Sequence, residues 1–414
     1  LMSAADPIVH SGPIYGIPIA DARPYLDRLE QLVPEHGDTR FHAAIVMAAI
    51  GSPDSAAAAM TSASRLMGAP WGAMLSWMGK LYDSQARGTP LPPLDGALDM
   101  ARTSAADARA HPTIAAFDGM LGMDTYAAAH RLAALEHVRA KGIFSGDMEL
   151  ISTLPEGMLR GSRGDWTSAM RAFRRAESSP LSFAERITSA RVAVIASWFS
   201  AMDVAEADSA LARAHVQRDD DARAVDRIEL HWLDGVQGVL HGDAARVQTA
   251  RRALDADTTL MARHTARSLA GLWLSRTSAD AGADSLKALT DETMREGAIL
   301  LSVEALDRLI VARALRKRGR PADVERYLMW NDAATNIIRS ITVKYSFGPI
   351  VNYERGVALD EAGNRAAAMF RLRRFVQSYD QPPAAHRSLV DDAKKRLARL
   401  EATDVAAQQP VTPK

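Results

Sequence analysis

Three pairs of glycines seven residues apart are set along this chain at close to multiples of 40 residues, and that spacing limits the folds open to it more than any other feature. Gly157 stands seven before Gly164, Gly235 seven before Gly242, and Gly356 seven before Gly363. In the clearest copy, residues 153–180, a first helix holds Gly157 and a turn follows at Gly164-Asp165-Trp166. A second helix then carries Ala169, Phe173 and Ala176. Weaker copies turn at Asp203, followed by Ala207, Leu211 and Ala214, and at Gly319, where Pro321 opens the next helix at no hydrogen-bond cost. Taking turns at about 164, 202, 242, 281, 319 and 363, the spacings are 38, 40, 39, 38 and 44. A period of that length marks stacked supersecondary units, each covering an apolar face of the next.

The units read as helix pairs. Trp166, Ala169, Met170, Phe173 and Ala176 share one face at helical spacing, as do Ala368, Leu372, Phe375, Val376 and Tyr379. Alanine is abundant and β-branched runs of strand length are nearly absent, which points to an all-α chain. A glycine inside a helix costs about 1 kcal/mol relative to alanine, so Gly157, Gly235 and Gly356 need a reason. Close approach of two helices is the natural one. The spacing predicts Gly157 opposite Ala169 and Gly356 opposite Ala368, where the helices of one hairpin cross.

This grammar resembles the tetratricopeptide repeat, which has a glycine in its first helix, a Gly-Asp-aromatic turn and small residues in its second. Ala368 falls where that family wants a small residue. The departure is the period, close to 40 here against about 34 in the family. The surplus should lengthen helices or links, as at 178–186, where Ser182 and Glu185 form a capping box. The resemblance implies a superhelical solenoid of about eight or nine hairpins, with sixteen to nineteen helices. Residues 1–20 read as a linker or cap and 21–150 as degenerate helical repeats. Residues 151–400 read as the tetratricopeptide-like repeats and 401–414 as a flexible tail. The last third also looks like the helical tails of long bacterial signalling proteins, among them serine/threonine kinases and transcription regulators. Opening on Leu1, the chain reads as a piece of a longer polypeptide.

Composition removes several function classes. Fifty basic residues balance fifty acidic ones, against the basic excess a nucleic-acid binder uses to displace counterions. Cysteine is absent, so disulfides, thiolate metal sites and a cysteine nucleophile are excluded. The longest strongly apolar stretch, 192–202, is about half a bilayer span, and no signal peptide is visible. A cytoplasmic location is preferred to a periplasmic one. No phosphate loop, nucleophile elbow or His-Glu-x-x-His helix occurs; Gly79-Lys80 lacks the flanking residues a phosphate loop requires. His130 and His137 lie two turns apart and need a third ligand to hold a metal. The acidic run 219–221 reads as a helix start, where the dipole favours carboxylates. Trp198, Trp232, Trp273 and Trp330 read as inter-helix filling.

The functional expectation is a module that binds a protein or peptide on its concave face, without catalysis, cofactor or metal. By resemblance the groove positions are Arg313, Arg316, Tyr353 and Trp232. Arginine offers a planar fork to carboxylates and tyrosine a flat contact with a polar tip, a pairing suited to an acidic or C-terminal peptide. The basic run Arg313, Arg316, Lys317, Arg318 and Arg320 reads equally as a solvated helix end. Alternatives are a structural subunit of a larger assembly, or an enzyme on a closed α/α ring with paired carboxylates.

Overall fold

The computed structural model describes residues 1–68, 71–87, 89, 157–158, 160–177, 187–216, 224–297, 300–333 and 338–408. All regular structure among them is helical. The pair His130 and His137, the acidic run 219–221 and the capping box at Ser182 lie outside the described residues, as does the chain beyond Gln408.

A first block is built from α1 (Met2–His10), α2 (Arg23–Leu32), α3 (Gly37–Ala49), α4 (Pro53–Met67) and α5 (Trp71–Arg87). Residues 1–20, read from sequence as a linker or cap, form α1 and two short 3-10 turns. Ala5 and Val9 are fully buried there, in a core with Leu26, Phe41, Ile45, Met60 and Tyr82. Pro13 falls in the first two residues of one 3-10 turn and Pro18 caps the other, where no N–H is required, while Pro7 lies inside α1.

The second block runs through α6 (Trp166–Glu177), α7 (Thr188–Trp198), α8 (Val204–Val216), α9 (Ala224–His241), α10 (Ala244–Asp255), α11 (Leu260–Thr277) and α12 (Ala279–Glu296). It continues through α13 (Leu301–Lys317), α14 (Val324–Leu328), α15 (Ile338–Glu361), α16 (Arg365–Ser378) and α17 (Arg387–Gln408). The last helix carries on through positions read from sequence as the start of a tail.

Five turns of this block share one hydrogen bond. The N–H groups of Asp165, Ala201, Asp243, Arg320 and Asn364 donate to the carbonyls of Arg160, Ala196, Gly238, Leu315 and Leu359, at 2.8–3.0 Å. The residue before each donor is left-handed: Gly164, Ser200, Gly242, Gly319 and Gly363 have φ between +59° and +88°. This is the six-to-one closure that ends a helix on a left-handed residue and satisfies its last carbonyls. The next helix is then capped from the following residue: Asp165, Asp243 and Asn364 each accept from a backbone N–H three residues on. The Gly-Asp signature is therefore a turn and a cap in two residues. The turn placed near 281 lies at Ser278, a side-chain cap with no glycine.

The helix glycines do admit close neighbours, but not the ones expected. Gly157 faces the Phe173 ring and Gly356 faces Leu372, each one turn beyond Ala169 and Ala368, which are both fully buried. Side chains lean toward the helix N-terminus, so the spot opposite a glycine is covered from further along the partner helix. Gly235 faces Leu269 of the following hairpin, and Gly238 lies against Val247 within its own.

Consecutive helices pack throughout. α9 also packs against α7 and α11, and α13 against α11 and α15. The chain then returns on itself: α7 packs against α15, and Trp166 stacks on Phe347 with ring centroids 5.1 Å apart. The two blocks meet at α16, and again where the first 3-10 turn, Gly12–Tyr15, packs on Met329–Asp332 and on α12. Phe370 completes the first core, and Arg371 donates to the Ala49 carbonyl at 2.9 Å.

Candidate binding sites

The expected groove is filled by the chain itself. Arg313 Nε donates to Glu354 Oε1 at 2.7 Å, and Arg316 donates to Glu354 Oε2 at 3.1 Å. The Arg313 guanidinium also lies over the Phe199 ring, 5.2 Å from its centroid. Tyr353 is 7% exposed and its hydroxyl donates to Asp392 Oδ2 at 3.0 Å. Burial pushes that hydroxyl up, and the Asp392 carboxylate pushes it further. Trp232 is fully buried. Its Nε1–H donates to Ser268 Oγ at 3.2 Å, and Ser268 donates to Asp307 Oδ1 at 2.9 Å. Arg313, Arg316 and Tyr353 thus gather around Glu354, while Trp232 reaches Asp307 two hairpins on. Tyr353 and Trp232 do not line an open groove, because the helices that would border it pack on one another: α9 touches α13 as well as its nearest neighbours.

The basic run that closes α13 is a two-way staple. Arg313 and Arg316 reach forward to Glu354, while Arg318 reaches back to Asp280 at 3.0 Å and Asp284 at 2.5 Å. Arg320 pairs with Asp323. The carboxylates that Arg313, Arg316 and Arg318 meet belong to the preceding and following hairpins, and a helix dipole is not needed to explain those three.

Sequence reasoning missed the buried charges, which fall at positions an apolar stripe would occupy. Arg191 and Glu229 form a fully buried bidentate pair at 2.6 and 2.9 Å. Asp332 takes two guanidinium groups, Arg355 at 2.7 Å and Arg371 at 2.8 Å. Burial opposes its charge, yet the two arginines hold this carboxyl well below the usual range. Arg308 pairs with Glu304 at 3.0 Å. Beside them Asp307 is pushed well above the carboxylate range by burial and then by the Glu304 charge. Glu304, Asp307, His264 and Thr265 line a cavity of about 10 Å³, room for a single water.

A polar chain crosses the seam where the second block returns on itself. Trp166 Nε1–H donates to Tyr379 Oη at 3.1 Å, leaving the Tyr379 O–H to donate to His386 Nδ1 at 2.7 Å. His386 Nε2–H in turn donates to the Phe199 carbonyl at 2.7 Å. Every member is satisfied with His386 neutral. Burial lowers its pKa, Arg313 lowers it further, and the Phe199 carbonyl opposes both. Outside this chain, Arg163 clamps Asp380 through two hydrogen bonds of 2.8 and 2.6 Å.

Two further clusters bring ligand-type atoms together among the described residues: Asp6, His10 and His42 in the first block, and His264, Glu292 and Glu296 in the second. In the second cluster Arg267 already grips both oxygens of Glu292, at 2.6 and 2.8 Å. Neither cluster was legible in the sequence. Asp6 and His10 fall in the stretch read as a linker, and His42 sits 32 residues beyond His10. No family model matches the chain, and neither a curated protein nor a solved structure matches it.

Proposed function

We propose that this chain is a protein-interaction scaffold, a solenoid of tetratricopeptide-like hairpins with a period near 40. The observation that carries the reading is the separation of the side chains that tie one hairpin to the next. Arg191–Glu229 is 38 residues, Trp232–Ser268 is 36 and Ser268–Asp307 is 39. Arg313–Glu354 is 41, Tyr353–Asp392 is 39 and Arg399–Asp360 is 39. These separations repeat the spacing of the turns, as stacking of equivalent units requires.

Exposed apolar side chains favour the first block as the place where a partner sits. Eight of the eleven large ones among the described residues fall in the first 66 positions, including Tyr15, Ile17, Tyr25, Leu32, Val33 and Leu66. Concentration of that kind, more than total area, marks interaction surfaces. Leu32 and Val33 lie at the end of α2, and Leu66 lies against Gly37, four residues after Val33.

The return of α7 onto α15 is a feature an α/α-ring enzyme would share, and Glu304 with Asp307 would be its carboxylate pair. The cavity they line admits about one water, which is too small for a substrate and favours the scaffold. The test begins with cross-linking and mass spectrometry in the native host, followed by calorimetry on the purified partner. Leu32→Ser, Val33→Ser and Leu66→Ser together should abolish binding and leave helicity intact. Unchanged affinity would move the partner off this block, and turnover of a small molecule by the purified chain would displace the scaffold reading.

A further inference from the structure

Asp6 and His10 stand one helical turn apart on α1, and His42 reaches them from α3, which packs directly on α1. His10 Nε2 and His42 Nε2 are 3.4 Å apart. Asp6 Oδ1 lies 3.1 Å from the first and 3.5 Å from the second. Around a tetrahedral Zn²⁺ with bonds of about 2.0–2.1 Å, ligand atoms stand roughly 3.3–3.4 Å from one another. The three separations match the three edges of one tetrahedral face. The imidazole planes meet at 77° in a T-shaped contact, so the rings do not stack.

The orientation of the His42 ring is compatible with the same reading. His42 Nδ1 is 2.8 Å from the Asp38 carbonyl and 3.3 Å from its carboxylate, so the ring proton belongs on Nδ1. Its Nε2 therefore presents a lone pair. A hydrogen bond from the far nitrogen to a carbonyl or carboxylate is how metal-binding histidines are oriented and made more basic.

We propose that Asp6, His10 and His42 form a Zn²⁺ site that clamps α1 onto α3. His42 is its buried anchor. Asp6, with half of its side-chain surface exposed, marks the side on which water or a partner's ligand completes the coordination. Two imidazoles and a carboxylate select zinc over magnesium or calcium, which take oxygen ligands in larger numbers. The His264 cluster differs in a decisive respect: Arg267 holds the Glu292 carboxylate that a metal would need.

The test uses the full chain stripped with a chelator. Titration with Zn²⁺ should show one equivalent bound and a raised melting temperature, with Mg²⁺ producing neither. Co²⁺ should give the visible absorption bands of a tetrahedral site. His10→Gln, at a partly exposed position where the fold should persist, should weaken Zn²⁺ binding about 100-fold, and Asp6→Asn about tenfold. His264→Ala should leave affinity and stoichiometry unchanged. Absence of micromolar Zn²⁺ binding by the stripped chain, or binding that ignores His10→Gln, would overturn the proposal. So would loss of binding in His264→Ala.

Discussion

The two blocks use their charges differently. In the second, arginines and carboxylates join one hairpin to another across 32–41 residues, as in Arg191–Glu229, Arg246–Asp208 and Arg396–Asp360. In the first, ion pairs are mostly made within one helix, as in Arg23–Asp27 and Arg87–Asp83. Pairs of the second kind support a helix but say nothing about what it packs against. The second block is specified by polar contacts between units, whereas the first is held by its apolar core and by what α16 lends it.

If that contrast is right, the largest effect should come from Asp332. Asp332→Asn leaves Arg371 buried without its counter-charge and Arg355 with Glu325 alone, at a cost of about 3 kcal/mol. Urea denaturation followed by circular dichroism would measure it. A loss below about 1 kcal/mol would mean that the charges are incidental to packing.

Phe370→Ala should come next, at about 3 kcal/mol. Among the described residues, Phe370 is the one buried side chain that the second block gives to the first core. Its loss should uncouple the blocks, turning one calorimetric transition into two. A single, merely shifted transition would show that Arg371 and the α16 contacts suffice.

A smaller series probes the shared turn. Gly363→Ala should cost about 1 kcal/mol for left-handed backbone alone, since a Cβ there meets open space. Gly164→Ala should cost roughly twice that, because its Cβ would stand 2.8 Å from the Gln381 carbonyl as well. Ser200→Gly should be stabilising by about 0.5–1 kcal/mol, because Ser200 holds φ at +59° where the other four turns use glycine. Melting temperatures in the reverse order would mean that the turns are not equivalent.

The smallest effect is with pH. The folded pKa of His386 lies below its ordinary value of 6.5, so its neutral form is the one the fold favours. Its contribution is complete above 6.5 and is lost as pH falls through the lowered folded value. Arg313 faces the ring, so protonation also sets two cations together. Trp166 fluorescence should report the seam loosening in mild acid before the helical signal changes, and His386→Gln should remove that step.

What could be read from the sequence follows from how far each signal reaches along the chain. The turns at 164, 242 and 363 were legible because a left-handed residue and a cap occupy adjacent positions, and the turn at 319 because a left-handed glycine stands just before Pro321. Ser200 and Ser278 were misplaced by a few residues because serine carries no such mark. The pairs Gly157–Phe173 and Gly356–Leu372 were one turn off, since side-chain lean does not show in a periodicity. Arg313, Arg316 and Tyr353 were read as positions facing an open groove. Their filling by Glu354, Phe199 and Asp392 depends on how consecutive hairpins rotate, which no single repeat encodes. Asp6, His10 and His42 were invisible for the simpler reason that the first twenty residues carry no period at all.

The seam between α6 and the segment around His386 also sets an order of events. A stack of hairpins can grow from any point, because each unit meets its neighbour over about 40 residues and the loop to be closed is short. Trp166 and Tyr379 are 213 residues apart, so their contact can form only after the intervening hairpins are in place. During synthesis the earlier helices therefore wait with Trp166, Phe199 and their apolar neighbours uncovered until the last hundred residues emerge. This chain should refold in two phases, a fast one that builds helix and a slower one that quenches or shifts Trp166.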